Sequence, residues 1–592
     1  MTRSSTVQDG PAVLETAYGS MVELLRARAA EQPDERAYIF LSGRGGEEAS
    51  LTFSELERRA SALAAQLVLL GERGERALLM FPPGLDFIVA FFGCLIAGMI
   101  AVPMMPPRRA GARDSSASIV ADCTPRLALT SPALEAARSD LAERLEATGL
   151  DFICVDARKE VGGPAASAFP ELDALALAFL QYTSGSTSDP KGVMVTHGNL
   201  LANSEMIRLV YGNTRATTYV SWVPLYHDMG LILNVLQTLY VGSLCVLMAP
   251  VTFMQRPLTW LRAISDYRAE FATAPNFAFE LCVDRFRADQ MAGFDLSSWK
   301  IALNGAEPVR AETMERFAAI FAPYGFDARS CSPAYGLAEA TLLASGGGPG
   351  RGLVTRRVSR EALQRHRAAA PSSEEDTQVL VGCGRTLVGE TLAIVDPETR
   401  RRLPAGDVGE IWISGPNVAQ GYWQNPTATA ATFSARVEGQ GEERWLRTGD
   451  LGFLDKAGEL YITGRIKDVI IIRGINHYPQ DLEETVQASH PALRRHGGAA
   501  FSVLDEHGEE RLVIVQEVER TQMRHVSIED LEGAIREAVA TEHELTVHEI
   551  VLIRPGSLPK TTSGKIQRGL ARRLFLDGRL AELQPAVPDA RS

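Results

Sequence analysis

A repeated alternation of amphipathic helix, glycine and short apolar strand is the feature that most limits the folds open to this chain. In residues 53–70, Leu56, Ala60, Leu63 and Leu67 recur on one helical face, Gly71 stops the helix, and residues 77–81 read as a strand. Residues 119–121, 127–130 and 152–155 read as further short strands between helices. Strands separated by helices pair in parallel through crossover connections, so the pattern up to about residue 340 predicts an α/β fold. Residues 87–105 are ambiguous, because 19 positions pass without a charge, near the length that spans a bilayer. Gly93, Gly98 and Pro103 divide that run, and Pro82, Pro83, Pro106 and Pro107 flank it. A helix through Ala97, a stop at Gly98 and a buried strand over 100–103 therefore fit better than a transmembrane span.

The texture changes at residues 342–377, which are Gly-rich and then rich in Arg, Ser and Glu, as in an insertion or mobile surface segment. Residues 392–465 are strand-rich, with turns at Asp396-Pro397, Pro404-Ala-Gly406 and Lys456-Ala-Gly458. Beyond them come a helix after Pro479, strands near 499–503, 511–517 and 549–553, and a final helix after Ser563. Between these, Ser527-Ile-Glu-Asp530 opens a helix as a capping box, with Leu531, Ile535 and Val539 on one face. The expected organisation has a large N-terminal domain, residues 1–466, built of α/β subdomains and a β-rich subdomain. A hinge at Lys467-Asp468 and a small mobile α+β domain over 469–592 complete it.

With 73 acidic against 60 basic residues, the chain lacks the basic surface that nucleic-acid binding needs. Its seven cysteines have no metal-ligand spacing, which suits reduced thiols, and the polar first ten residues lack a signal-peptide core. A cytoplasmic location is expected. Only seven of the basic residues are lysine, so each lysine marks a place where a compact ammonium stands in a chain that otherwise uses guanidinium.

The segment Tyr182-Thr-Ser-Gly-Ser-Thr-Ser-Asp-Pro-Lys-Gly-Val-Met-Val-Thr-His197 follows an apolar run and turns into hydroxyl and glycine residues at 183–187. Such a loop can wrap phosphate oxygens, with Lys191 supplying charge. It is not a Walker A loop, because Pro190 stands where the second glycine belongs and Gly192 follows the lysine. Further on come Asn304-Gly-Ala-Glu-Pro308, Tyr335-Gly-Leu-Ala-Glu-Ala-Thr341, Thr448-Gly-Asp450, Gly464-Arg-Ile-Lys-Asp468 and Leu558-Pro-Lys-Thr-Thr-Ser-Gly-Lys565. In this order, over roughly residues 20–575, the six motifs resemble those of the adenylate-forming superfamily of acyl-CoA synthetases, luciferases and peptide-synthetase adenylation domains.

The resemblance implies ATP-dependent activation of a carboxylate. Thr183, Ser184, Gly185, Ser186 and Thr187 would cradle phosphate with Lys191. Asn304, Gly305, Ala306, Tyr335 and Gly336 would form the adenine slot. Asp450 would accept from the ribose hydroxyls, Arg465 would approach the same ribose, and Glu339 would ligate Mg²⁺. Lys565 would bridge the substrate carboxylate and the α-phosphate as charge develops, and Lys467 and Asp468 would be the hinge.

Three features resemble the fatty acyl-AMP ligase branch: Trp222-Val-Pro-Leu-Tyr-His-Asp-Met-Gly-Leu231, Arg473-Gly-Ile-Asn-His-Tyr-Pro-Gln-Asp481 with Ile475 in place of the usual Arg, and the span 342–377. That branch implies a medium- to long-chain fatty acid, and transfer to a phosphopantetheinylated acyl carrier protein or a polyketide or nonribosomal peptide synthase. A fatty acyl-CoA ligase is the close rival, and a non-catalytic nucleotide- or lipid-binding relative is the more distant one. His227 stands as a catalytic candidate because histidine titrates near neutrality, with a wall of the acyl pocket as the favoured reading. Residues 235–246 with Phe271, Phe277 and Phe279 suit either an alkyl tunnel or core, and Arg568, Arg572 and Arg573 are candidates for the carrier contact.

Overall fold

The computed structural model describes residues 14, 16–105, 116–132, 134, 150–156, 169–183, 190–472, 475–505, 509–523, 525–561, 565–580 and 583. Two large sheets dominate. One has six strands in the order Asp151–Cys154, Leu127–Thr130, Arg76–Met80, Ile100–Met104, Leu177–Thr183 and Lys191–Thr196. Its first five strands are parallel and the last is antiparallel. The other has nine strands, and its central six (Cys331–Gly336, Ile301–Asn304, Phe271–Ala274, Tyr219–Ser221, Cys245–Met248 and Arg36–Leu41) are parallel. The expected α/β fold is present, with helices covering near-continuous apolar strands.

The helix Phe53–Leu70 lies where its periodicity puts it. Thr52 and Glu55 form a reciprocal capping box, and Leu56, Ala60, Leu63 and Leu67 are buried. The uncharged run resolves into the helix Leu85–Ile96, Gly98 at φ +73°, and the buried strand Ile100–Met104. No helix among the described residues is long and apolar enough to cross a membrane. The strand expected at 119–121 is instead part of the helix Ser116–Cys123. Ile119, Val120 and Cys123 form its buried face, and an apolar run this short carries no period that separates helix from strand.

A four-stranded antiparallel meander (Thr391–Val395, Gly409–Ser414, Leu446–Leu454, Leu460–Arg465) adjoins the nine-stranded sheet. The C-terminal part has its own sheet, Leu493–Leu504, Glu510–Val518 and Val547–Ile553, with apolar clusters on both faces. Residues 342–377 fold as structure rather than as an open loop. Leu343–Gly346 is a buried strand paired with Cys331–Gly336. Thr355–Ser359 and Thr377–Val381 form a hairpin around the helix Arg360–Gln364. Asp376 accepts from Ser359, Ser372 and the Glu361 N–H, and Val358 and Leu363 bury against Val408, Phe453 and Tyr478.

Gly384 joins that hairpin to the edge of the nine-stranded sheet. Its φ is +88°, and a Cβ there would stand 2.0 Å from the Gly346 carbonyl carbon. Gly384→Ala is expected to lower stability by about 3 kcal/mol, combining left-handed strain with a main-chain clash. A shift of the chemical-denaturation midpoint measures it; an unchanged midpoint would contradict this packing.

Candidate active site

The strands Leu446–Leu454 and Leu460–Arg465 pair so that Asp450 faces Arg465 across the ladder. Arg465 Nε donates to Asp450 Oδ1 at 2.6 Å, and the Tyr335 hydroxyl donates to Asp450 Oδ2 at 2.8 Å. Tyr335 comes from the end of the central strand Cys331–Gly336, so the contact joins the meander to the large sheet. Gly336 is obligatory beside it, because a Cβ would fall 1.8 Å from the Leu342 carbonyl oxygen.

Three residues beyond Gly336, Glu339 accepts from the Tyr422 hydroxyl at 2.8 Å, and the Lys191 ammonium stands 4.6 Å from the centre of the Tyr422 ring. The backbone fixes this trio. Ala419 N–H donates to the Glu339 carbonyl, Trp423 N–H donates to the Gly192 carbonyl, and Val193 bridges Tyr422. Tyr422 did not stand out in the sequence; only the loop that carries it past both motifs reveals it. Among the described residues no cluster of three His, Cys, Asp or Glu side chains could hold a metal by itself.

The third group comes from the C-terminal part. The half-buried Lys565 has Asp228, Glu307, Asp450 and Arg465 as its charged neighbours. Burial lowers its pKa from the ordinary lysine range, and Arg465 acts in the same sense, against the opposing pull of the carboxylates. Burial alone would raise the Asp228 carboxyl, but His227, Lys565 and the Met229 N–H outweigh it and hold the group low. His227 Nδ1 lies 2.6 Å from Asp228 Oδ1, at the start of the π-helix Met229–Leu236. Burial raises the Glu307 carboxyl, which accepts from the Phe277 N–H at 2.6 Å. Asp228 and Glu307 thus meet Lys565 although both lie inside motifs read for other residues.

Thr183 ends its strand opposite Lys191, whereas Ser184, Gly185, Ser186 and Thr187 lie outside the described residues. Asn304 is fully buried and its amide donates to Asn276 Oδ1, so its side chain ties the strand end to the helix Asn276–Asp284. Gly305 lies close against Ala334, where an added Cβ would stand only 3.0 Å from the carbonyl oxygen, and Ala306 adopts φ +70°. Lys467 is exposed, and Asp468 takes Arg568 Nη1 at 3.3 Å. Arg568 also grips both oxygens of buried Glu483, which removes it from the candidate carrier surface and leaves Arg572 and Arg573 exposed there. Phe271 and Phe279 are core, the latter packed on Trp260, Trp299 and Phe317, while Phe277 is partly exposed beside Trp222.

Residues 25–423 match the model of the AMP-binding enzyme family, and residues 467–584 match that of the Disco-interacting protein 2-like AMP domain. A medium-chain-fatty-acid–[acyl-carrier-protein] ligase of Moorena producens, JamA, is 45% identical, covering 96% of this chain and 97% of its own. The corresponding ligase TtuA of Teredinibacter turnerae is 36% identical over 94% and 92% of the two chains. A fatty acyl-adenylate ligase of Legionella pneumophila, solved with acyl adenylate and pyrophosphate, superposes with a TM-score of 0.72 at 39% identity. That superposition covers 95% of this chain and 97% of the other.

Tyr422→Phe removes the donor to Glu339 while keeping the ring beneath Lys191. Losing a hydrogen bond to a charged group is expected to lower stability by about 1–2 kcal/mol without disturbing the fold. Thermal unfolding with a circular dichroism control measures it, and a loss of structure would show that the ring, not the hydroxyl, had been misjudged.

Proposed function

The chain belongs to the AMP-binding enzyme family, and from that premise we propose that it activates a fatty acid with ATP and hands the acyl group to a carrier thiol. The observation that carries this reading is the convergence of Lys565 with Asp228, Glu307, Asp450 and Arg465. It brings a cation from the C-terminal part onto the motifs expected to hold the nucleotide and the acid.

In the first half-reaction a carboxylate oxygen attacks the α-phosphorus of ATP, and the bond to the pyrophosphate oxygen breaks, giving acyl-AMP and pyrophosphate. Negative charge grows between the two reactants and on the leaving group, so fixed cations lower the barrier. Lys565 offsets the first charge and Lys191, with the loop 183–187, the second. Asp450, held by Arg465 and Tyr335, accepts from the ribose hydroxyls. The strand end at Asn304-Gly-Ala306 and the turn at Tyr335-Gly336 form the adenine slot, to which Asn304 contributes by positioning. His227 contributes as a wall beside the acid, fixed by Asp228.

Mg²⁺ fits the donor set at Glu339: one carboxylate, with one oxygen taken by Tyr422, beside the Lys191 motif. That hard cation is content with one protein carboxylate when phosphate oxygens and water complete its shell, and it would neutralise triphosphate charge.

In the second half-reaction the phosphopantetheine sulfur attacks the acyl carbon and AMP leaves. We place the hinge at Lys467 and Asp468, dividing residues 1–466 from 469–592; the second family match begins at 467, and the first ends at 423. Residues 342–377 act as the branch's insertion. Asn476 donates to the Gln364 carbonyl and Arg360 lies 3.6 Å from Glu542, with Gln378 just past the span donating to Asp481, so the insertion and its edge strap the C-terminal part. This strap supports a carrier protein over CoA as acceptor, as do the names of JamA and TtuA. The seven free thiols support a cytoplasmic location.

Lys565→Ala is expected to reduce fatty-acid-dependent pyrophosphate exchange by about a hundredfold or more, as loss of a transition-state charge contact does. Because burial lowers the Lys565 pKa, the charged form is lost as pH rises through that lowered value. The alkaline limb of adenylation in the wild type should therefore begin below the ordinary lysine range; a flat profile through that range contradicts the assignment. Labelled medium-chain acid with ATP and Mg²⁺ should stop at acyl-AMP when CoA is added and move onto a phosphopantetheinylated carrier. Rapid acyl-CoA formation would overturn the choice of acceptor.

A further inference from the structure

Apart from the strap, the C-terminal part touches the N-terminal part through a second, more central contact. Glu280, on the helix Asn276–Asp284, is a buried carboxylate with 8% side-chain exposure. His496 Nε2 lies 2.6 Å from its Oε2, which also accepts from the Thr313 hydroxyl at 3.2 Å. Around its Oε1 stand Arg495 at 3.5 Å and Arg316 at 3.7 Å, with Arg310 and Asp284 as further charged neighbours. Burial would raise this carboxyl, but His496, then Arg310 and Thr313, hold it down to about 2.

Both ends of the contact lead to the reacting centre. On one side, the same helix begins at Asn276, which receives the Asn304 amide and the Arg310 N–H, and continues to Phe277, whose N–H holds Glu307. The Glu280 helix is therefore bolted to the Asn304–Pro308 motif. On the other side, His496 sits in a bulge of the strand Leu493–Leu504 at φ +54°, with its N–H bound to Gln487. The His496 carbonyl accepts from the Lys560 ammonium at 2.6 Å. Lys560 opens the motif whose turn closes through Thr561 and Lys565: the Thr561 N–H donates to the Lys565 carbonyl at 2.7 Å, and the Lys565 N–H to the Thr561 hydroxyl at 3.0 Å. A left-handed residue that is not glycine costs strain, and here the strained backbone turns one ring toward Glu280 and one carbonyl toward Lys560.

We propose that Glu280 and His496 form a latch that holds the C-terminal part in the pose of the first half-reaction, with Lys560 transmitting that position to the Lys565 turn. They are positioning residues: neither touches the reactants. The latch has to open for the second half-reaction, because a rotation about 467–468 carries His496 away from Glu280 and strips the carboxylate of its nearest partner.

This inference rests on the two-step reading above, and the test separates the two. In the full-length protein, His496→Ala, His496→Gln and wild type are compared in pyrophosphate exchange and in transfer from supplied acyl-AMP to a phosphopantetheinylated carrier. His496→Ala should slow exchange roughly tenfold and leave transfer within about twofold of wild type or faster, as expected when only one pose is weakened. His496→Gln, which keeps a donor for Glu280, should recover most of the exchange rate and so rules out simple misfolding. Equal losses in both steps, or no loss in either, would overturn the latch. Absence of exchange in the wild type would instead bring down the proposed function and the latch with it.

Discussion

The pairing of Asp450 with Arg465 is the interaction on which the site depends, because three parts of the molecule meet there. Asp450 is buried, and burying a carboxylate is costly without a charged or hydrogen-bonding partner. Arg465 supplies the charge from the adjacent strand, and Tyr335 supplies a hydroxyl from the large sheet. The half-exposed Arg465 keeps the pair from being a large source of stability, so its value lies in geometry. It fixes the end of the meander two residues before Lys467 and holds an acceptor beside Lys565.

Around that point several buried charges have named partners. Glu339 is answered by the Tyr422 hydroxyl, Asp228 by His227 and Lys565, and Glu483 and Asp468 by Arg568. Arg568, on the helix Arg568–Leu576, holds Asp468 and Glu483 at once. The C-terminal part is thus tied to Asp468 by Arg568, to Gln378 by Asp481, and to the Asn276–Asp284 helix by His496. These three contacts are polar, and polar contacts can be exchanged for water when a part rotates; beside them Tyr478 packs into the apolar cluster of Val358, Leu363 and Phe453.

Much of the architecture was legible because it rests on local rules. The Phe53–Leu70 helix follows from its periodicity and capping box, and the Leu85–Met104 region follows from Gly98, whose φ of +73° ends the helix. The same rules failed at 119–121, where three apolar or small residues fit both periods, and at 342–377, where Gly and Arg content hid a hairpin. That hairpin is held by the Asp376 side chain and by Val358 and Leu363 packing on residues far along the chain. Nothing within the span announces those partners.

For the site, the sequence by itself determined which chemical groups are present and in what order: the hydroxyl-rich loop with Lys191, the carboxylates Glu339 and Asp450, and the lysine at 565. It determined this because each group sits in a short motif whose spacing is a property of the chain alone. Only the tertiary structure decided which groups share a space. Tyr422 meets Glu339 and Lys191, Asp228 and Glu307 meet Lys565, Arg568 turns inward, and Glu280 meets His496. Those encounters join residues separated by tens to hundreds of positions, so they depend on how whole sheets and helices pack, which no local pattern encodes.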